Sequence, residues 1–263
     1  MEKYYKYKSI PNYTVGKVNG EAERMLVDTI LKQQIYAAGF EELNDPLEGV
    51  YLGEETSNSN YLYLQKRNAK IISATRSHIN QLMWAHYANQ SKGICIGFEV
   101  KSHQPQKVNY SNVPVYSNDP EEILTHKTSA WKYENEWRFL VSEGEEGVTV
   151  IETETDEGKK KNFFLDVNIT DIYFVLFPNY KSSGISNVMS YENEVESRKK
   201  FKEGFFKMLY REIQNQPDQK KLKENLKKIN VHQQILRENG RYTEEARVEN
   251  LLSFIEDNDL LTK

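Results

Sequence analysis

The sequence predicts an α+β fold: a mixed, bent sheet or split β-sandwich with flanking helices, followed by a C-terminal helical extension. Three observations lead there. Short strand patterns and short helix patterns intermingle over the first part of the chain. The 263 residues are 38% hydrophobic, 28% charged and 12% aromatic, which describes a globular chain long enough for a substantial core. Near Ser190 the composition shifts, and the rest is helical in pattern with Pro217 as its one proline. The expected division is therefore residues 1–190 as an α+β domain and 191–263 as the helical extension.

Taken in order, "YYKYKSI" reads as a strand with Tyr5 and Tyr7 on one face and Lys6 and Lys8 on the other. "GEAERMLVDTILKQ" reads as a helix and "QIYAAGF" as a strand. The loop "ELNDPLEG" follows, where Asn44, Asp45 and Pro46 favour a turn. "NAKIISATRS" is a further strand. With Ser77 as N-cap, a helix over about 78–88 aligns Ile79, Leu82, Met83 and His86 in one stripe and places Trp84 and Tyr87 on the next. Gly93 ends that pattern, and Ile94, Ile96, Phe98 and Val100 alternate as the buried face of a strand. A short helix is expected near Pro120 to Leu124, strands over "ENEWRFLVS" and "NITDIYFVLF", and an exposed hairpin or loop between those two. In the tail, a first helix carries Phe201, Phe205, Met208 and Leu209. A second carries Leu222, Leu226 and Ile229, and a third Val248, Leu251, Leu252 and Ile255, the last two split at Gly240 as an antiparallel pair.

Composition excludes several classes. No run approaches the roughly 20 apolar residues of a membrane span, and the charged, aromatic start is unlike a secretory signal. A single cysteine leaves no internal disulfide and no cysteine-based metal site, which suits a reducing cytoplasm. The net charge of −4 offers no bulk basic field for nucleic acid. The five histidines show no metal-ligand spacing, so no metal is expected. Walker, dinucleotide-fingerprint and nucleophile-elbow motifs are absent from the sequence.

The remaining chemistry lies in two places. Strand alternation puts Glu134, Glu136 and Arg138 on one face, with the two carboxylates about 7 Å apart, close enough to perturb each other or to grip one polar ligand. The plain alternative is a solvent-facing strand of alternating charge. His86 is either a reagent or a packed histidine continuing an apolar stripe. Cys95 reads as a small buried residue, since no adjacent base is visible.

Taken together these segments resemble a bacterial family known as domain of unknown function 2971, in order through about 180 residues. "YKYKS" is similar to its opening Tyr-Lys-Tyr-Arg-Ser, with Lys8 where the family usually has arginine. "LNDPLE" is similar to its Phe-Asn-Asp-Pro-Phe-Glu loop, with Leu43 replacing phenylalanine. "MWAHYANQSKGICIGF" is close to its Met-Trp-x-His-Tyr…Gly-x-Cys-Ile-x-Phe signature, and "KYENEWR" to its Glu-x-Glu-Trp-Arg. "SATR" departs from the family's Cys-Phe-Ser-Glu.

That layout is similar in outline to ADP-ribosyltransferases, which consume NAD. The resemblance implies Lys8 or Lys6 on the NAD phosphates or ribose, and Thr75 as the middle hydroxyl. It implies Glu136 as the catalytic glutamate, Glu134 orienting an acceptor, and Trp84 or Tyr87 stacking on nicotinamide. His86 and Tyr87 join the catalytic candidates, and Asn44, Asp45 and Arg138 the ligand contacts. The expected role is a bacterial toxin or phage-defence effector acting in the cytoplasm on a nucleotide, with self-association through the C-terminal helices. A non-catalytic module holding a small ligand or a partner protein is the alternative. A nuclease-like metal site at Asp45, Glu48 and the carboxylate pair is a third reading.

Overall fold

A computed structural model describes residues 2–10, 21–53, 59–156, 158–176, 204–236 and 242–257. Strand β1 (Tyr4–Lys8), helix α1 (Glu21–Lys32) and strand β2 (Gln34–Ala37) come first, then β3 (Tyr51–Leu52), α2 (Ser59–Asn68), β4 (Lys70–Thr75), α3 (Gln81–Tyr87) and β5 (Ile94–Glu99). Next come β6 (Gln106–Lys107), β7 (Asn109–Tyr110), β8 (Val115–Tyr116), α4 (Pro120–Leu124), β9 (His126–Lys127) and β10 (Glu136–Val141). Strands β11 (Val148–Thr155), β12 (Gly158–Asp166) and β13 (Asn168–Leu176) are followed by α5 over residues 204–215. Helix α6 (Gln219–Leu226), strands β14 (Asn230–Leu236) and β15 (Tyr242–Asn250) and helix α7 (Leu251–Asp257) complete the order. Helices and mixed strand pairing make the fold α+β.

The chain divides into two units that interleave in sequence. The first comprises Met1–Tyr4, Gln33–Arg76 and Glu99–Asn168; the second comprises Tyr5–Lys32, Ser77–Phe98 and Ile169–Lys263. In the first unit β10 lies antiparallel to β4 on one side and to β6 on the other. The charged stretch expected as a hairpin or loop is the hairpin β11–β12, and β12 also pairs β2. On one face of β10, Phe139 and Val141 are buried and Tyr4 meets Phe139 edge-on at 5.1 Å. The opposite face carries Arg138.

In the second unit β5 is buried on both faces rather than one, so Cys95 is as inaccessible as Ile94 and Ile96. Cys95 packs with Tyr7, Trp84, Ala88, Tyr173 and Val175. Burial pushes its thiol well up, which leaves it a small core residue, not a nucleophile. Gly93 is required where β5 begins: a Cβ there would lie 2.1 Å from the Lys8 carbonyl oxygen.

Helix α3 differs from its expected form. Its N-cap is Asn80, whose Oδ1 accepts from the Leu82 and Met83 amides at 3.0 and 3.3 Å; Ser77 accepts from Ile79 one turn earlier. The start at Gln81 rotates the inward face, so Trp84 and Ala88 are buried while Ile79 and Leu82 are about half exposed, at 50% and 47%. Of the stripe that ended in His86, Met83 still packs against the core, while His86 is exposed.

The tail also departs from expectation. The boundary at 190 lies outside the described residues, as do Phe201 and the helix start at Glu192. Phe205, Phe206, Leu209 and Ile213 of α5 are buried. The expected second helix is α6 as far as Leu226, and the third is helical only from Leu251, as α7. Between them the chain forms β14 and β15, paired antiparallel, with β14 parallel to β13. Strand pairing along β13 supplies backbone partners that outweigh the helical periodicity of this stretch.

Candidate functional site

The polar centre of the first unit starts from backbone geometry. The 3-10 turn Ser129–Glu134 ends at Asn135, whose φ of 46° reverses the chain into β10. Glu134 therefore closes the turn and Glu136 opens the strand, so the two carboxylates do not share a strand face as the alternation implied. They meet through Lys127 of β9, whose Nζ lies 2.6 Å from Glu134 Oε2 and 3.1 Å from Glu136 Oε2. Asp45, buried in the Asn-Asp-Pro turn, accepts from the Leu47 amide at 2.9 Å and from Thr128 Oγ1 at 3.3 Å. Its role is to shape the turn that delivers Glu48.

Arg138 joins these pieces. Its Nε and Nη2 donate to Glu136 Oε1 and Oε2 at 2.9 and 3.1 Å. Nη2 also donates to Glu48 Oε2 at 3.0 Å, while Nη1 donates to Glu48 Oε1 and to the Leu124 carbonyl at the end of α4. All five N–H donors of the guanidinium are thus engaged, with a forked pair on each carboxylate. Glu48, Lys127, Glu134, Glu136 and Arg138 are each at most 8% exposed. Trp131 lies over Lys127 Nζ at 4.9 Å, and the Tyr110 hydroxyl accepts from the Glu136 amide at 2.8 Å.

The electrostatics follow from this packing. Burial pushes the Glu136 carboxyl up, but the Arg138 and Lys127 charges and hydrogen bonds from Arg138 and Ser73 outweigh it and hold the group well below the usual range. Burial lowers Lys127, and the Glu136 and Glu134 carboxylates more than reverse that. For Glu48 burial wins and its pKa is raised. The network sets three carboxylates against two cations, an excess of one negative charge in a buried position.

Thr75 lies directly across from Glu136, and Ser73 across from Arg138, in the β4–β10 register. Paired residues share a sheet face, so Thr75 and Glu136 lie on the same side of the sheet. Thr75 is 1% exposed and its Oγ1 has no hydrogen-bond partner. Asn44, by contrast, is exposed.

Lys6, Lys8, Trp84, His86 and Tyr87 belong to the second unit. Lys8 is half-buried, and burial lowers its pKa. Trp84 is sealed in the core, with its ring meeting Tyr7 edge-on at 5.1 Å and its Nε1 donating to the His78 carbonyl at 2.8 Å. A stacking role on a ligand therefore falls away for Trp84. Tyr87 packs at the margin of the same cluster, and its carbonyl accepts from Ser9. His86 is exposed on α3.

Sequence reasoning missed Lys127, which lies in a two-residue strand with no motif around it, and weighed Glu48 only as a metal ligand. The signal for Glu48 was its place in the "NDPLE" turn beside a buried aspartate. Among the described residues no group of three or more His, Cys, Asp or Glu side chains is placed to hold a metal ion. Nor is any helix among them long and apolar enough to cross a membrane.

The family described as "Protein of unknown function (DUF2971)" matches residues 83–126. The resemblance carried by the "MWAHYANQSKGICIGF" motif thus holds over that stretch. No curated protein and no solved structure matches the chain.

Proposed function

We propose that the chain is an NAD-consuming enzyme of the ADP-ribosyltransferase type. The supporting observation is the pairing of Glu136 with Thr75: an ionised, doubly gripped carboxylate across from a buried hydroxyl that has no protein partner. In such a reaction the bond between ribose C1′ and the nicotinamide nitrogen breaks and nicotinamide leaves with the electron pair. An acceptor then adds at C1′ and gives up its proton. Glu136 would hold a ribose hydroxyl and Thr75 would bond beside it, while the excess negative charge of the network favours the cationic character that develops at C1′. The wider reading is a cytoplasmic toxin or phage-defence effector that associates through its tail helices.

The test is NAD turnover, with and without cell lysate, by wild type, Glu136→Gln and Thr75→Val. Nicotinamide release that is lost in Glu136→Gln, with the circular dichroism spectrum retained, is the expected result. Release unchanged in that variant, or none from wild type, overturns the proposal.

A second reading has its own observation. Every carboxylate of the network already accepts from Lys127 or Arg138, which suits a fixed scaffold better than a reagent. The chain would then be a non-catalytic module that holds a small nucleotide or a partner protein. It is distinguished by thermal stabilisation on adding NAD with no product by mass spectrometry.

A further inference from the structure

A second polar cluster lies in the second unit, in residues to which neither the sequence motifs nor the proposed chemistry gives a role. Strands β13 and β14 run parallel with Asp171 beside Asn230, Tyr173 beside His232 and Val175 beside Gln234, so these six side chains share one face. Asp171, 2% exposed, accepts from Thr170 Oγ1 at 2.6 Å, Asn230 Nδ2 at 3.2 Å and His232 Nε2 at 2.7 Å. Gly97 lets β5 approach it: a Cβ there would lie 3.2 Å from that of Asp171. The aspartate thereby fixes the orientation of the His232 ring. That ring stacks on Tyr173 at 4.5 Å and 13°, and Tyr173 stacks on His78 at 4.3 Å and 24°.

Two residues along β14, Gln234 is 0% exposed, and neither its Oε1 nor its Nε2 has a hydrogen-bond partner. A buried amide with both ends unsatisfied carries the desolvation cost of each unpaired group, so its retention needs a reason. The facing strand supplies another sign. Strand β15 shifts register twice, between the partners of Val231 and His232 and again between those of Gln233 and Gln234. Bulges of this kind re-aim side chains and concentrate beside sites. His232 keeps 8% exposure, so the cluster is not sealed.

We infer that His232, held by Asp171, and the Gln234 amide form a binding site for a small neutral molecule carrying a planar carboxamide or lactam. The chemistry is complementary. A side-chain amide presents one acceptor and one donor side by side, and a second amide satisfies both through a pair of hydrogen bonds. Neutrality follows from burial, because an unpaired charge there is far costlier than an amide. The stacked His78–Tyr173–His232 rings favour a flat aromatic carrier. This site lies in a different unit from Glu136 and does not depend on NAD turnover.

The probe is benzamide, titrated into the full chain and followed through the His232 ring resonances and the melting temperature. N,N-dimethylbenzamide, which lacks the donor, and toluene, which lacks both groups, are the controls. Saturable shifts of the His232 ring with benzamide, at least tenfold weaker with either control, are expected. Gln234→Leu should lose the benzamide response while melting no lower than wild type. Equal responses to all three compounds, no response to benzamide, or a full response in Gln234→Leu overturns the inference. A wild type that ignores benzamide while Gln234→Leu melts higher identifies an unsatisfied or merely hydrated glutamine.

Discussion

Arg138 and Glu136 sit two residues apart on one strand, and their side chains meet as a forked ion pair at 2.9 and 3.1 Å while both are buried. On an exposed strand such an i, i+2 pair contributes little. Here the arginine is 0% exposed and also grips Glu48. Arg138→Met should therefore cost about 3–5 kcal/mol, because it strands buried carboxylates. Arg138→Lys should recover only part of this, since one ammonium cannot make two forks. Urea unfolding of the three proteins measures it, and a loss under about 1 kcal/mol for the methionine variant would show that the network is not holding the first unit together.

The two flanking glutamates should give opposite pH responses. The pKa of Glu136 is depressed below its ordinary 4.5, so its contribution to stability is present above that value and is lost as pH falls through the lowered one. That of Glu48 is raised, so its ionised form costs stability at higher pH and protonation on acidification relieves the cost. As pH falls, wild type should lose stability relative to Glu136→Gln but gain it relative to Glu48→Gln. Melting temperatures from pH 7 into the acid limb check the sign of both differences.

The same residues show what was readable beforehand. Strand β4, strand β10 and the short helix α4 followed from alternation, caps and turn residues. Glu136 and Arg138 share a face as alternation requires. Glu134 does not, because Asn135 enters the left-handed region and breaks the period. Lys127 was hidden because its partners come from the loop geometry around it. In the tail, β14 and β15 carry residues that suit either a helix or a strand, and only the pairing with β13 decides between them.

The rotated face of α3 sets a contrast between neighbours. His86 is exposed, so His86→Ala should change stability by no more than about 0.5 kcal/mol. Trp84 is 0% exposed and bonded to the His78 carbonyl, so Trp84→Ala should cost about 3–5 kcal/mol. Chemical denaturation of the two variants tests the assignment of faces directly. If His86→Ala proves the more damaging, the helix is seated as the sequence periodicity implied.

The last prediction concerns the tail. Were it a separate helical appendage, removal of everything after Pro217 would leave a folded core. The structure points the other way. Strand β14 pairs with six consecutive residues of β13, from Asp171 to Leu176, and Val231, Leu251, Leu252 and Ile255 are all buried. Truncation there removes backbone partners along β13 and uncovers its apolar side chains, which a small unit cannot absorb when its whole stability is about 5–15 kcal/mol. The truncated chain should be insoluble, or should show rapid proteolysis within Ser77–Phe98 and the residues after Ile169, which form the remainder of the second unit. Limited proteolysis with mass spectrometry decides the matter. A truncated chain as resistant as the full one would restore the tail to an appendage.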